Sequence, residues 1–246
     1  MSGRNGQVVL VTGAAGGIGQ DVVRTLRDEG AVVMEADLGV GEGPDSMHLD
    51  VTDEGSCRDV VRRTVERHGR IDALVHAAGV LGATPDPFET TTAEFERVLG
   101  INTVGTFTMA REVGAAMRAA GHGGTMLFFS SVAAKEARTD YMPYNVSKIG
   151  VLHVMFSFAG ILGPDGISVN AVCPGPVNTA MWAQKAADAG EADAARRARA
   201  AQLPMRRFAE PREVTEAVLF LTDPAHRYIT GVSLDVAGGA HLGMGS

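Results

Sequence analysis

The sequence predicts an α/β fold in which helices cover both faces of a parallel sheet. Six short apolar runs alternate with helical patterns, which is typical of strands that are buried on both faces. The length of 246 residues and the 45% hydrophobic content allow one domain or two small ones. The continuous order of the motifs favours one domain, 1–246. The predicted strands are 8–11, 32–34, 72–76, 125–129, 167–172 and 232–236.

A glycine-rich turn follows the first predicted strand directly, and a helical pattern follows the turn. In this turn, residues 12–19, Gly13 permits a tight bend and Gly17 lets the backbone approach a pyrophosphate. Gly19 allows the helix to pack closely on the sheet, and Ile18 lies beside it. The N–H groups at the start of the helix would face the phosphates. This segment therefore predicts a dinucleotide-binding site.

The second strand ends at an acidic residue. Asp37 lies eighteen residues after Gly19, near the position expected for an acid that binds the adenosine ribose. Its carboxylate would accept hydrogen bonds from the 2′-hydroxyl. A 2′-phosphate would meet like charge, at a cost of about 4 kcal/mol at ~4 Å in an effective dielectric of ~20. Leu38 offers no cation to offset that cost, so we expect NAD rather than NADP.

Tyr144 and Lys148 lie four residues apart in an apolar stretch from Met142 to Leu162 that reads as a helix, so they share one face. The ammonium, together with the positive ring of an oxidised nicotinamide, would lower the pKa of the phenol. Ser131, thirteen residues upstream of Tyr144, can hydrogen-bond a substrate oxygen. The alternative is a surface pair on an ordinary helix. The glycine turn favours the catalytic interpretation, with Tyr144 as general acid/base.

Over nearly the whole chain, from Val8 to about Gly239, these motifs resemble the short-chain dehydrogenase/reductase family. The resemblance implies one Rossmann-like, doubly wound sheet of about seven strands in the order 3-2-1-4-5-6-7. It implies that Ser131, Tyr144 and Lys148 are catalytic, with Asn102 as a fourth catalytic residue in a predicted helix. In that family, the asparagine holds a water that links the lysine to solvent.

The same resemblance implies further cofactor contacts. Asn102, Tyr144 and Lys148 are among these contacts. The other residues contact the adenine, the adenosine ribose and the nicotinamide amide. The residues, in that order, are Asp50 and Val51, then Ala78 and Gly79, then Pro174, Gly175, Val177 and Thr179. Gly16 stands where NADP-using relatives often carry a basic residue, which again favours NAD. His76 departs from the family, which usually has Asn there, and a lone His beside an apolar strand is typical of the core.

A substrate lid is expected at about 180–205, after the nicotinamide segment. Four apolar residues would form its underside, and three more would form the opposite wall beside Ser131 and Tyr144. This predicts a mainly apolar alcohol or ketone, and mobility would let the lid adapt to several ligands. The underside residues are Met181, Trp182, Leu203 and Met205; those of the wall are Val132, Tyr141 and Met142.

The formal net charge of −7 and the pI near 5.5 disfavour nucleic acid as a partner. An arginine cluster, defined here as Arg196, Arg197, Arg199, Arg206 and Arg207, is the exception. One interpretation is a solvated helix face balanced by Glu191 and Asp193. The other is an anchor for an anionic or carrier-linked substrate.

Two cysteines, Cys57 and Cys173, lack metal spacing, so we expect reduced thiols, no metal site and a cytoplasmic location. Residues 1–6 are polar and do not resemble a signal sequence. No run reaches the roughly 20 continuous apolar residues of a membrane span, and we expect no membrane partner.

The residues together predict an NAD-dependent oxidoreductase that interconverts a secondary alcohol and a ketone by direct hydride transfer. Two alternatives remain open: a reductase of 3-oxoacyl groups on a carrier protein, and a non-catalytic nucleotide-binding scaffold. By resemblance, the region from Arg207 to Gly231 builds tetramers, so a homotetramer is expected.

Overall fold

The computed structural model describes residues 4–136, 138–182 and 192–242. Its centre is a seven-stranded sheet in the order β3-β2-β1-β4-β5-β6-β7, in which every neighbouring pair is parallel. This confirms the predicted fold class and strand order. The strands are β1 Val8–Thr12, β2 Val32–Asp37, β3 Ser46–His48, β4 Ala73–His76, β5 Gly124–Phe129, β6 Ile167–Pro174 and β7 Ser233–Val236.

The edge strand β3 was not among the runs read from the residues. It has only three residues, of which Met47 alone is buried, so it carries no apolar run that a sequence pattern can detect. The six predicted runs all form strands, with ends that move by three residues or fewer. β2 and β6 extend furthest beyond the prediction, to Asp37 and Pro174, and both extensions carry predicted cofactor residues to the sheet edge.

Seven α-helices are described, and they cover both faces of the sheet. Side chains that alternate along β1 show the division, since Val9 and Val11 pack towards one face and Leu10 packs towards the other. The first face is covered by α1 and α7, and the second by α2, α4 and α5. The helices are α1 Gly17–Asp28, α2 Glu54–His68, α3 Thr92–Leu99, α4 Gly105–Ala120, α5 Met142–Leu162, α6 Ala192–Ala201 and α7 Pro211–Thr222.

Shorter helical segments complete the chain that the structure describes. A π-helical segment, Gly100–Val104, joins α3 to α4. Four 3₁₀ turns cover Val132–Ala134, Gly163–Asp165, Pro224–His226 and Ala240–Leu242. Because all strands are parallel, their carboxyl ends meet at one edge, and the loops that leave this edge build the site.

Helix α5 has an unusual composition. Together with the 3₁₀ turn after it, it forms a 24-residue segment, Met142–Asp165, that contains an 18-residue window of mean hydropathy 1.6 and is long and apolar enough to cross a membrane by length and composition alone. In the fold, one side of α5 packs on β6, with Val151 and Met155 buried in the core. On the opposite side Val146, Ile149 and Phe156 are exposed.

Candidate active site

The glycine turn lies between β1 and α1 and packs against the end of β4. Gly13 has φ +69°, a conformation that side chains other than glycine rarely adopt. A Cβ atom at Gly13 would lie 2.5 Å from the backbone of Ala77 and Ala78, and one at Gly19 would collide with the Gly13 carbonyl. Both positions therefore require glycine.

The start of α1 leaves its backbone N–H groups open to a ligand. Gly16 is the N-cap, no side chain caps this end, and the first turn contains no acidic residue. Such a helix end attracts an anion, because its unpaired N–H groups carry partial positive charge. A Cβ atom at Gly17 would lie 3.1 Å from the Thr179 methyl group, so the turn meets the predicted nicotinamide segment here.

A cavity of about 800 Å³ runs along the carboxyl ends of the strands. Its lining includes both the glycine turn and the predicted catalytic side chains Ser131, Tyr144 and Lys148, and its size suits a dinucleotide and a substrate. Of the predicted site residues, the cavity is lined by Gly13, Gly17, Ile18, Gly19, Asp37, Asp50, Val51, Ala78, Gly79, Ser131, Val132, Tyr141, Tyr144, Lys148, Pro174, Gly175, Val177, Thr179, Met181 and Trp182.

Asp37 is the last residue of β2, and its carboxylate is held by the backbone. One oxygen accepts from the Ala15 N–H at 3.1 Å and the other from the Gly39 N–H at 2.8 Å. Leu38 lines the cavity beside it with an exposed side chain. The carboxylate therefore has a fixed position next to the glycine turn, with lone pairs left for a ribose hydroxyl.

Ser131 and Tyr144 meet in the cavity although they come from different elements. Ser131 follows β5, and its hydroxyl oxygen accepts from the Ala133 N–H at 3.1 Å, which starts the 3₁₀ turn. The pKa of Tyr144 is raised because burial disfavours the phenolate, while a hydrogen bond with Ser131 and the charge of Arg138 oppose the rise. The neighbouring side chains alone thus do not produce the lowered pKa predicted from the sequence.

Lys148 is buried one helical turn after Tyr144. Its ammonium donates to the Phe129 carbonyl at 2.8 Å and lies 5.5 Å from the centre of the Tyr144 ring. Burial lowers the pKa of Lys148 to about 8. The Ser130 hydroxyl donates to the Lys148 carbonyl at 2.8 Å, so the end of β5 holds this turn of α5 in place.

Asn102 does not line the cavity; it lies beneath it, in the π-helical segment. Its side chain pairs with both backbone groups of Val80, accepting at 2.8 Å and donating at 2.9 Å, and also donates to the Ser147 hydroxyl at 2.9 Å. A Cβ atom at Gly79 would lie 3.1 Å from the Asn102 amide oxygen and 3.3 Å from the Lys148 ammonium. Asn102 thus ties the loop after β4 to the helix that carries Tyr144 and Lys148.

His76 is the last residue of β4 and lies in the core. Only one of its two ring nitrogens has a hydrogen-bond partner among the described residues. Nδ1 lies 2.7 Å from the Thr12 hydroxyl, whereas Nε2 is buried without a hydrogen-bond partner among the described residues. Burial, together with the charge of Lys148, lowers the pKa of His76 to about 3. The ring therefore stays neutral near neutral pH and joins β1 to β4.

The predicted substrate walls are partly different in the structure. Tyr141 lines the cavity with φ +50°, a strained conformation for a non-glycine residue, and it caps α5. The prediction for Met142 is wrong, because it starts the face of α5 opposite to Tyr144 and is exposed. Leu203 is buried and Met205 is exposed, and neither lines the cavity. Residues 183–191 of the predicted lid lie outside the described residues.

The polar cavity residues that were not predicted individually include Asn145, Arg138 and Arg199. Asn145 lies between Tyr144 and Lys148 in sequence and donates to the Asp140 carbonyl at 2.7 Å. Arg138 sits in an irregular loop, where no sequence pattern marks it. Arg199 belongs to the arginine cluster, but only the fold shows that it faces the cavity.

Both cysteines are buried and free, as expected for reduced thiols. The structure shows no group of three or more His, Cys, Asp or Glu side chains suited to a metal within the residues that it describes. The side chains that can carry chemistry in the cavity include the Ser131 hydroxyl, the Tyr144 phenol and the Lys148 ammonium.

Comparison with known proteins agrees with this geometry. A family model described as enoyl-(acyl carrier protein) reductase matches residues 13–241. The chain is 32% identical to L-fucose dehydrogenase of Bos taurus, covering 98% of this chain and 91% of that one. It is 35% identical to D-threitol dehydrogenase of Mycolicibacterium smegmatis, covering 96% and 93%.

Solved structures of dehydrogenases and reductases have the same fold as this chain. A levodione reductase superposes with a TM-score of 0.92 at 28% sequence identity, over 97% of this chain and 99% of that one. Members of this family typically use a nicotinamide cofactor, which the helix end, the glycine turn and the long cavity fit. The chain is an oxidoreductase that belongs to the short-chain dehydrogenase/reductase family.

Proposed function

We propose that this protein is an NAD-dependent oxidoreductase that interconverts a secondary alcohol and a ketone by direct hydride transfer. One observation carries the proposal: Ser131, Tyr144 and Lys148 line the same cavity as the glycine turn and Asp37. A dinucleotide bound along this cavity brings its nicotinamide to the hydroxyl, phenol and ammonium.

The preference for NAD rests on Asp37. Its carboxylate is fixed by two backbone N–H groups, so it cannot easily turn away from a ligand at the end of β2. A ribose 2′-hydroxyl donates to it, whereas a 2′-phosphate meets like charge. Gly16 and Leu38, which line the cavity nearby, supply no positive charge.

In the oxidation direction, the Tyr144 phenolate accepts the proton of the substrate hydroxyl, and Ser131 donates a hydrogen bond to the same oxygen. A nicotinamide held beside Thr179 and Lys148 would supply the hydride acceptor for the carbinol carbon, and its positive charge in the oxidised form would favour the phenolate. Lys148 holds the ribose of the cofactor and passes the proton towards solvent. Asn102 positions this relay through Gly79 and Ser147.

The substrate we propose is a small, mainly apolar alcohol or ketone. Val132 and Tyr141 on one wall, and Met181 and Trp182 on the other, line the catalytic end of the cavity. Flat or branched hydrocarbon surface fits such walls better than a shell of hydroxyl groups, because hydroxyls would lose water without gaining partners.

The test is the absorbance of reduced nicotinamide, followed with NAD and with NADP across a panel of alcohols. The panel contains cyclic and acyclic secondary alcohols, L-fucose and D-threitol. We expect turnover with NAD and a simple secondary alcohol, and a higher Michaelis constant for NADP. An absence of turnover with every member, despite measured NAD binding, would contradict the proposal and favour a nucleotide-binding scaffold.

A second candidate is a reductase of acyl groups on a carrier protein. It is favoured by the description of the matching family model and by the exposed Arg196 and Arg197, which a negatively charged carrier would contact. Asp37 argues against it if such an enzyme needs NADP. A 3-oxoacyl-carrier substrate that outcompetes simple ketones in kcat/KM would establish this candidate.

We also propose a cytoplasmic homotetramer that binds neither nucleic acid nor membranes. Two exposed apolar surfaces support the assembly, since such surfaces are costly in water and typical of interfaces. One is formed by Phe107, Val146, Ile149 and Phe156 of α4 and α5, and the other by Phe220, Tyr228, Val232 and Leu242 near the carboxyl end. Solution scattering tests the mass, and a monomer would exclude the tetramer.

The net charge of −7 supports the proposal that the protein does not bind nucleic acid.

A further inference from the structure

The fold separates the members of the arginine cluster. Arg196 and Arg197 are exposed on α6, and Arg206 is exposed after it. Arg207 forms two hydrogen bonds of 2.7 Å with the Glu213 carboxylate. Within the described part of the chain, Arg199 is the one member of the cluster that lines the cavity.

The Arg199 guanidinium has hydrogen-bonding capacity that the protein does not use. It donates to the Gln202 side chain at 3.1 Å, within its own helix end, and no carboxylate of the described residues lies within ion-pair distance of it. A guanidinium has five N–H donors in a planar fork and stays charged. Several donors of Arg199 are thus left to face the cavity.

Two other described arginines line the cavity, Arg97 and Arg138, and both are paired with acids. Arg138 forms two hydrogen bonds with the Asp140 carboxylate, at 3.0 and 3.1 Å, and one of 3.4 Å with Glu136. Its charge is therefore shared between two acids of its own loop. Among the described arginines that line the cavity, Arg199 is the one without an ion pair to an acid.

Arg199 and Tyr144 share Arg138 as a charged neighbour. Burial raises the pKa of Tyr144 and the charge of Arg138 opposes the rise. Burial lowers the pKa of Arg199 and the charge of Arg138 lowers it further, while Glu136 and Asp140 act in the opposite direction. The three side chains line the same cavity. A ligand that reaches Tyr144 with its hydroxyl can therefore extend towards Arg199.

We propose that Arg199 binds a carboxylate of the substrate, so that the preferred substrate is a keto acid or hydroxy acid whose apolar body separates the carboxylate from the reacting carbon. This inference rests on the proposed function and names its substrate class. The planar fork pairs with the two carboxylate oxygens, while Val132 and Trp182 cover the hydrocarbon between the two polar ends.

Matched ketones test this inference. Each pair consists of a keto acid and its primary amide, which have nearly the same shape but differ in charge; 4-oxocyclohexanecarboxylate and an acyclic 5-oxo acid give two such pairs. We expect kcat/KM to favour the acid at least tenfold, mainly through KM, since a hydrogen bond to a charged group contributes this much or more. Arg199→Gln should abolish the preference, and Arg197→Gln, changed on the exposed face of the same helix, should keep it.

Binding without turnover gives a second readout. Titration calorimetry with the NAD complex should show benzoate binding at least tenfold more tightly than benzamide, and Arg199→Gln should remove this difference. Turnover of neutral ketones without any acid preference would overturn the inference and leave the proposed function intact. Arg199-dependent benzoate binding in a protein that turns over no alcohol would contradict the proposed function and leave the carboxylate site intact. A preference confined to phosphopantetheine-linked ketones would also overturn it.

Discussion

The Lys148 ammonium lies 5.5 Å from the centre of the Tyr144 ring, and its proton is donated to the Phe129 carbonyl at 2.8 Å. Both side chains are held by the end of β5, which also carries Ser131. Burial acts on the two groups in opposite directions, raising the pKa of the phenol and lowering that of the ammonium. Each group is thus biased towards its neutral form until a ligand supplies charge.

Replacement of the phenol tests the acid/base role directly. Tyr144→Phe should lower kcat at least about 100-fold, because positioned acid/base catalysis contributes ~10²–10⁴-fold. NAD affinity, measured by calorimetry, should change little. Tyr228→Phe is the matched control, because that side chain does not line the cavity. Near-normal turnover of Tyr144→Phe would refute the assignment.

The charge of Asp37 should decide cofactor choice. Asp37→Asn keeps the shape and removes the charge, although its single amide oxygen can accept from only one of the Ala15 and Gly39 N–H groups. The ratio of kcat/KM for NADP over NAD should rise by about 100-fold, since like charge at ~4 Å costs several kcal/mol before screening. Asp28→Asn, on the exposed end of α1, should leave the ratio unchanged. An unchanged ratio in Asp37→Asn would show that other residues select the cofactor.

Burial of Lys148 should make stability depend on pH. Its pKa falls from 10.5 to about 8 on folding, so between these values the unfolded chain binds a proton that the folded chain does not. Stability therefore rises with pH in this window, by up to about 1.4 kcal/mol per pH unit. Urea unfolding at pH 7.5 and 9.5 should show this gain in the wild type and its loss in Lys148→Met.

The control for that experiment is Lys135→Met, since Lys135 is exposed and pairs with Asp235 at 2.5 Å. It should keep the pH-dependent gain of the wild type. An identical pH dependence of the wild type and Lys148→Met would mean that the folded protein holds the charged ammonium without cost.

His76 should limit stability in acid. Its pKa falls from 6.5 to about 3 on folding, so the unfolded chain gains a proton first as the pH drops. Stability contributed by the neutral ring is complete above pH 6.5 and is lost as the pH falls towards 3. His76→Asn should remove this loss, seen as a flatter dependence of urea midpoints between pH 6.5 and 4.5. His153→Asn, at an exposed position, should behave as the wild type.

Local patterns in the sequence predicted most of the sheet and the polar centre of the site. The strand before Gly13 and the position of Asp37 could be predicted because strand, turn and helix follow one another within one βαβ unit. The edge strand β3 could not be predicted, because Met47 is its single buried residue and one apolar residue forms no pattern. Met142 was misplaced because a helix with apolar residues all round does not reveal which face turns towards the cavity.

By itself, the sequence determined the fold class, the dinucleotide turn and the Tyr144 and Lys148 pair, since each depends on spacing within a few consecutive residues. Only the tertiary structure decided that Arg199 faces the cavity while Arg197 faces solvent, that Arg138 is neutralised by its own loop, and that burial raises the pKa of Tyr144. These properties depend on what packs around a side chain, and the packing brings together segments that lie far apart along the chain.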